Sequence, residues 1–79
     1  MLTIDQILAD VKEEILRSNE LHQQAFHSNQ EWLGTLREEY KELENEIFKS
    51  KEVWAGNDRM KKEAIQVAAM AIKGILSLC

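Results

Sequence analysis

The amino-acid sequence predicts an all-α protein, and three observations support that prediction. The chain of 79 residues has no proline and three glycines, so it lacks most of the residues that form β-hairpin and sandwich turns. Glutamate, lysine, leucine, alanine and glutamine are abundant, and these residues favour helices. Apolar residues recur at helical spacing in three stretches. We predict one domain over residues 1–79, with helices at about 3–24, 29–52 and 58–78.

The first predicted helix begins with a capping signal at Thr3. Its hydroxyl and the Gln6 side chain have the spacing of a capping box, in which each satisfies a backbone N–H group of the other. The pattern weakens after Ser18, and we expect the first joint at about 26–28. The apolar residues of this helix follow intervals of three and four: Ile4, Ile7, Leu8, Val11, Ile15 and Leu16.

The second predicted helix begins with the same signal, formed here by Ser28 and Glu31. We expect it to end near Gly56, with Asn57 or Asp58 capping the next helix. Its apolar stripe consists of Leu36, Tyr40, Leu43 and Ile47, with Leu33 and Phe48 beside it.

The third predicted helix is apolar on nearly all sides. Opposite its main face lie Val67, Met70 and Gly74. A helix that is apolar all round is normally buried all round, and a three-helix chain is too small to surround one of its own helices. We therefore expect a homo-oligomer, a dimer or tetramer built as a four-helix-bundle type of assembly. The main face consists of Ile65, Ala68, Ala69, Ile72, Ile75 and Leu76.

Composition and charge exclude several classes of function. Ten basic and fourteen acidic side chains give a formal net charge of −4, whereas proteins that bind a nucleic-acid polymer carry a basic face. The sequence has no apolar run of about 18 residues, so we expect no membrane span. One cysteine cannot form an internal disulfide, which favours a reducing, cytoplasmic setting.

Carboxylates on the second and third helices form the main candidate site. Glu39 and Glu42 share one helix face, and at about 100° per residue Glu39 points toward the core side. Glu63 and Gln66 have the same spacing on the third helix. If the two helices pack antiparallel, which their short joint favours, these four side chains converge. Such an oxygen-rich site suits Mg²⁺, although a solvated acidic face remains the alternative.

Three further residues are candidates for substrate binding. Lys62 and Lys73 lie on the third helix and are placed to approach the phosphates of a metal-bound nucleotide. Trp32 is placed to stack on a nucleobase, or alternatively to anchor the start of the second helix in the core.

The two acidic segments also carry a resemblance to a known family. Residues 38–43 read EEYKEL, which matches an E-E-x-x-E motif, and about twenty residues later residues 63–66 read EAIQ, where the family has E-x-x-D. The sequence resembles the MazG-like, all-α nucleoside triphosphate pyrophosphohydrolases over roughly residues 20–76. The spacing of the two motifs is the specific part of this resemblance.

The resemblance implies a function and a set of roles. Family members hydrolyse nucleoside triphosphates, including deoxy and non-standard forms, to a monophosphate and pyrophosphate. By position, the resemblance implies that Mg²⁺, or Mn²⁺, is held by Glu39, Glu42, Glu63 and Gln66, and we assign Glu38 to orient the attacking water. It also implies a homo-oligomer in which a second subunit contributes to the site.

One departure from the family pattern leaves an alternative open. Gln66 stands where the family has aspartate, which removes one negative ligand and weakens Mg²⁺ binding. The alternative is a catalytically weakened or inactive helical oligomer that acts as an interaction protein.

Overall fold

A computed structural model describes residues 2–21, 25–50 and 57–79 of the chain. Within these ranges all of the regular secondary structure is helical: α1 spans Ile4–Leu21, α2 spans Asn29–Ser50 and α3 spans Asn57–Leu78. The prediction of three helices and an all-α fold is confirmed, with boundaries that agree within a few residues. The predicted helix ends at 22–24 and 51–52, and the expected stop at Gly56, lie outside the described residues.

The first two helices begin at the predicted capping residues. The Thr3 backbone N–H donates to Gln6 Oε1 at 2.9 Å, and the Gln6 N–H donates to Thr3 Oγ1 at 3.1 Å. At α2 the Glu31 N–H donates to Ser28 Oγ at 3.1 Å, but Glu31 Oε1 accepts from the His27 N–H at 3.1 Å. The second cap therefore also fixes the residue that precedes the capping serine.

Helices α2 and α3 pack antiparallel, as predicted. Near the start of α2, the Trp32 indole N–H donates to the Met70 carbonyl, in the C-terminal half of α3, at 3.0 Å. The indole ring lies over Gly74, where a Cβ atom would overlap its atoms. Farther along α2, Glu39 lies opposite Gln66. Glycine at position 74 thus allows the tryptophan to join the two helices.

Helix α1 packs on α3 in the same direction. The Lys61 ammonium lies 3.1 Å from Asp10 Oδ2, and the Lys73 ammonium donates to Ser18 Oγ at 3.0 Å. Helix α3 packs against both other helices, whereas α1 and α2 do not pack on each other along their described residues. Helix α3 is therefore the central element of the fold.

The hydrophobic core is small. Among the described residues, the buried apolar side chains are Val11, Phe26, Ala69 and Met70, and no large side chain is completely buried. The accessible surface is 6130 Å², compared with about 4,900 Å² for a compact monomer of this mass. The radius of gyration is 13.3 Å, compared with about 11.6 Å for a compact domain of this length. Both values exceed those of a compact domain of this size.

The burial of α3 differs from the face that its sequence pattern predicts. Ala69 is buried, but Ile75 and Leu76 of the predicted main face are 54% and 74% exposed. Met70 and Gly74, predicted on the opposite side, are buried instead. The reason is the Trp32 ring, which brings α2 onto the glycine side of α3. Along the described residues, no helix combines the length and apolarity that a membrane crossing requires.

Candidate metal centre

Three carboxylates converge where α2 and α3 pack together. Glu39, Glu42 and Glu63 each place one oxygen within 4.8 Å of the oxygens of the other two. The spacing of three puts Glu39 and Glu42 on one face of α2, and the antiparallel packing brings Glu63 of α3 to that face. Glu39 and Glu63 are half-buried and Glu42 is exposed. These three side chains therefore converge, as predicted.

The crowded carboxylates shift each other's protonation. Burial, followed by the charges of Glu42, Glu63 and Glu14, raises the pKa of Glu39 from 4.5 to about 7. Burial, followed by a hydrogen bond and the charge of Glu42, also raises the pKa of Glu63. Like charges that share a site resist ionisation together, whereas a bound cation would stabilise their charged forms. The cluster is therefore a group of mutually repelling carboxylates in which Glu39 takes up a proton near neutral pH.

Gln66, the fourth predicted ligand, lies beside this cluster. When its amide is oriented by the hydrogen-bond network, Nε2 donates to Glu63 Oε2 at 2.9 Å and to Glu39 Oε2 at 3.1 Å. One neutral amide thus links two carboxylates, and its carbonyl oxygen points away from them. For Gln66 to serve as a metal ligand, the amide must turn so that its oxygen faces the cluster.

A cavity of about 320 Å³ opens beside the carboxylates. Glu38, Glu39 and Gln66 line one part of it, and Phe26 and Met70 supply an apolar wall. Pockets of a few hundred cubic ångströms with an apolar lining and a few polar groups are typical of small-molecule sites. The cavity therefore offers room for an organic ligand directly beside the three carboxylates.

Lys73 contributes a buried positive charge to this cavity. Its side chain is 4% exposed, its ammonium donates to Ser18 Oγ at 3.0 Å, and it lies 5.7 Å from the centre of the Phe26 ring. Burial lowers the pKa of the ammonium. A cation held in a partly apolar cavity attracts an anion more strongly than one in water, because the local dielectric constant is lower.

The other two predicted substrate residues lie elsewhere. Lys62 is exposed and lines a neighbouring groove between α1 and α3 with Asp10 and Asp58. The pKa of Glu63 is raised overall, but the positive charge of Lys62 acts in the opposite direction. It partly offsets the repulsion from the other carboxylates. Trp32 is half-buried and bonded to the Met70 carbonyl, so its indole joins α2 to α3.

Helix α1 supplies cavity residues that the sequence analysis did not single out. Glu14, Arg17 and Ser18 line the cavity from the side opposite α2, and Thr35 lines it from α2. The Arg17 guanidinium donates to Glu14 Oε1 at 3.0 Å. Ser18 follows the buried Val11 by seven residues, so its position on the core face of α1 was readable from spacing alone. A small polar residue at such a position indicates a buried polar partner, which here is Lys73.

Comparisons with models of protein families, with curated proteins and with solved structures find no match for this chain.

Proposed function

We propose that this protein is a Mg²⁺-dependent nucleoside triphosphate pyrophosphohydrolase. The observation that supports it most is the convergence of Glu39, Glu42 and Glu63 from two antiparallel helices, beside a cavity that also contains Lys73. The reaction hydrolyses the bond between the α and β phosphates, and it yields a nucleoside monophosphate and pyrophosphate. The proposal includes homo-oligomeric assembly and a cytoplasmic role in clearing the nucleotide pool.

The donor set fits a hard divalent cation. Mg²⁺ prefers carboxylate oxygens and keeps several waters, and three carboxylates lie close enough together to share one ion. The raised pKa values of Glu39 and Glu63 result partly from repulsion among these groups, which a cation would relieve. When bound, the ion neutralises phosphate charge and lowers the pKa of an attacking water.

The residues around the cavity have complementary roles in this proposal. Lys73 attracts the triphosphate, and Phe26 and Met70 pack against the apolar part of the nucleotide. Glu38 lines the same cavity, and its carboxylate accepts a proton from the attacking water. This arrangement separates the acidic groups that hold the cation from the basic group that holds the phosphate chain.

A pyrophosphate-release assay tests the proposal directly. Purified protein is incubated with a panel of canonical and modified nucleoside triphosphates, with Mg²⁺, with Mn²⁺ and with neither. We expect metal-dependent release for the wild-type protein and at least about a 100-fold lower rate for Glu39→Gln, since that change removes a charged ligand. Glu44→Gln is the matched control, because Glu44 lies on the same helix, is exposed and is absent from the cluster.

The stability of the two variants makes the result interpretable. Glu39→Gln removes a repelled, half-buried charge, so we expect it to melt no lower than the wild-type protein at pH 8. An inactive but stable Glu39→Gln protein supports the proposal. Unchanged pyrophosphate release from Glu39→Gln, or equal losses in both variants, contradicts it.

The hydrogen bonds of Gln66 favour a second candidate, a helical interaction protein without catalysis. The amide donates to both Glu39 and Glu63, so it satisfies these carboxylates without a cation. This alternative predicts no hydrolysis and no rise in melting temperature with Mg²⁺ and a non-hydrolysable triphosphate, whereas binding to the folded state would raise it. Gln66→Asp restores a fourth carboxylate and should enlarge the shift only if the site binds metal.

A further inference from the structure

Helix α1 places a charged pair, Arg17 and Glu14, between two recesses of the molecule. Both residues line the cavity beside the carboxylates, and both also line the groove between α1 and α3. No other residue of the described ranges lines both recesses. The pair therefore forms the boundary between the cavity and the groove, where a ligand that enters from the α1 side must pass it.

The guanidinium of Arg17 holds the Glu14 carboxylate with two hydrogen bonds. Its Nε donates to Glu14 Oε1 at 3.0 Å, and its Nη2 donates to Glu14 Oε2 at 2.5 Å. A spacing of three residues on one helix makes this contact possible. A guanidinium binds a phosphate group through the same pair of parallel hydrogen bonds. The donors that hold Glu14 therefore have the geometry to hold two phosphate oxygens instead.

The two members of this pair differ in exposure. The side chain of Arg17 is 53% exposed, whereas that of Glu14 is 15% exposed. An ion pair with one member largely in water contributes little to the stability of a fold. Exchange of Glu14 for another anion therefore costs the fold little, and the guanidinium is accessible to a ligand from solvent.

The pair also lies within electrostatic range of the candidate metal ligands. A hydrogen bond and the charge of Glu14, followed by the charge of Glu39, raise the pKa of Arg17. Burial is the largest cause of the raised pKa of Glu39, but the charge of Glu14 is one of the others. A phosphate chain bound by Arg17 therefore lies near the place where Glu39 would hold a cation.

A second cation reaches the same cavity from α3. Lys73 is buried and donates to Ser18 Oγ at 3.0 Å, and Ser18 directly follows Arg17 on α1. Because Glu38 and Glu39 also line the cavity, an anion that enters it needs several positive charges to offset their repulsion. Two cations close together on one side of the cavity suit an anion with several phosphate groups.

We propose that Arg17 binds the phosphate chain of the ligand, and that Glu14 holds the guanidinium at the cavity until the chain replaces it. The inference rests on the proposed function for the class of ligand, a triphosphate bound together with Mg²⁺. In this arrangement Glu14 competes with the phosphate chain for the guanidinium. Removing the charge of Glu14 should therefore strengthen binding, whereas removing the charge of Arg17 should weaken it.

Isothermal titration calorimetry of the full chain with inorganic triphosphate and Mg²⁺ tests this inference. We expect the wild-type protein to bind, and Arg17→Gln to increase the dissociation constant at least about tenfold. Glu14→Gln should decrease it at least about threefold, because a competing negative charge is removed. Lys12→Gln is the matched control: Lys12 is exposed on the same helix and points about 140° away from Arg17, so its substitution should leave the dissociation constant unchanged.

The opposite signs of the two effects separate binding from a structural role. Both substitutions break the same ion pair, so a purely structural role predicts changes in the same direction. Far-UV circular dichroism of each variant confirms that the helices remain. Weaker binding by both variants, an unchanged dissociation constant for Arg17→Gln, an equal loss in Lys12→Gln, or no binding by the wild-type protein would overturn the inference.

Pyrophosphate release by the wild-type protein separates this inference from the proposed function. If nucleoside triphosphates are hydrolysed but Arg17→Gln binds inorganic triphosphate as the wild type does, only the role of Arg17 is wrong. If the variants change binding with the expected signs but no nucleotide is hydrolysed, the role of Arg17 stands and the pyrophosphohydrolase proposal is wrong.

Discussion

At the scale of single residues, the main feature is a carboxyl group that retains its proton near neutral pH. Glu39 is half-buried beside two other carboxylates, and its pKa is raised from 4.5 to about 7. Because the folded state binds a proton more tightly than the unfolded state, this group stabilises the fold at low pH. That contribution is lost as the pH rises from about 4.5 through about 7. Glu63 acts in the same direction.

We therefore expect the melting temperature of the metal-free wild-type protein, relative to Glu39→Gln, to fall between pH 5 and pH 8. Glutamine does not titrate, so the variant isolates the contribution of this carboxyl group. Mg²⁺ should raise the wild-type melting temperature more at pH 8 than at pH 5, because a cation competes with the proton. Differential scanning fluorimetry over this range measures both effects. A difference between wild type and variant that is constant with pH would show that Glu39 has an ordinary pKa.

At the scale of helices, α2 and α3 are joined by a tryptophan ring that requires a glycine. A Cβ atom at position 74 would overlap the Trp32 ring, whereas the space at Gly34 is open. We expect Gly74→Ala to lower the free energy of unfolding by about 2 kcal/mol, since an overpacked interface outweighs the gain in helix propensity. Gly34→Ala should raise it by up to about 1 kcal/mol. Urea denaturation measures both changes, and equal effects of the two substitutions would contradict the packing described for Trp32.

The helices themselves were predictable because their signals are local. The Thr3–Gln6 and Ser28–Glu31 spacings encode two helix starts, and the apolar periodicity encodes the helices that follow. That Glu39 and Glu42 share one face of α2 was also predictable from their spacing, whereas the hypothesis that Glu63 joins them depended on how α3 packs against α2.

Which face of α3 meets α2 was not predictable from spacing. Periodicity gave more weight to the larger side chains, Ile72 and Ile75, than to Gly74. The deciding contact is a shape match between Gly74 and Trp32, and apolar periodicity does not encode the shape of a partner 42 positions away in the sequence. For the same reason the cavity residues of α1 were missed, because they belong to the site only through the packing of α1 on α3.

At the scale of the whole molecule, the chain exposes more surface than its mass requires. If the proposed homo-oligomer forms, folding and association are linked by mass action. We expect the wild-type melting temperature to rise by several degrees between about 5 µM and 500 µM protein. Scanning calorimetry at both concentrations provides the comparison, and a concentration-independent wild-type value would argue against association.

The arrangement in which α3 alone contacts both other helices has a consequence for motion. Because α1 does not pack on α2 along the described residues, it can detach from α3 while the α2–α3 pair remains intact. Local opening of this kind has a lower free energy than global unfolding, so backbone amides of α1 should exchange with deuterium sooner than those of α2 and α3. Since Arg17 and Ser18 line the cavity from α1, the same opening would admit a ligand from that side, and a nucleotide bound there would slow the exchange of α1 in particular.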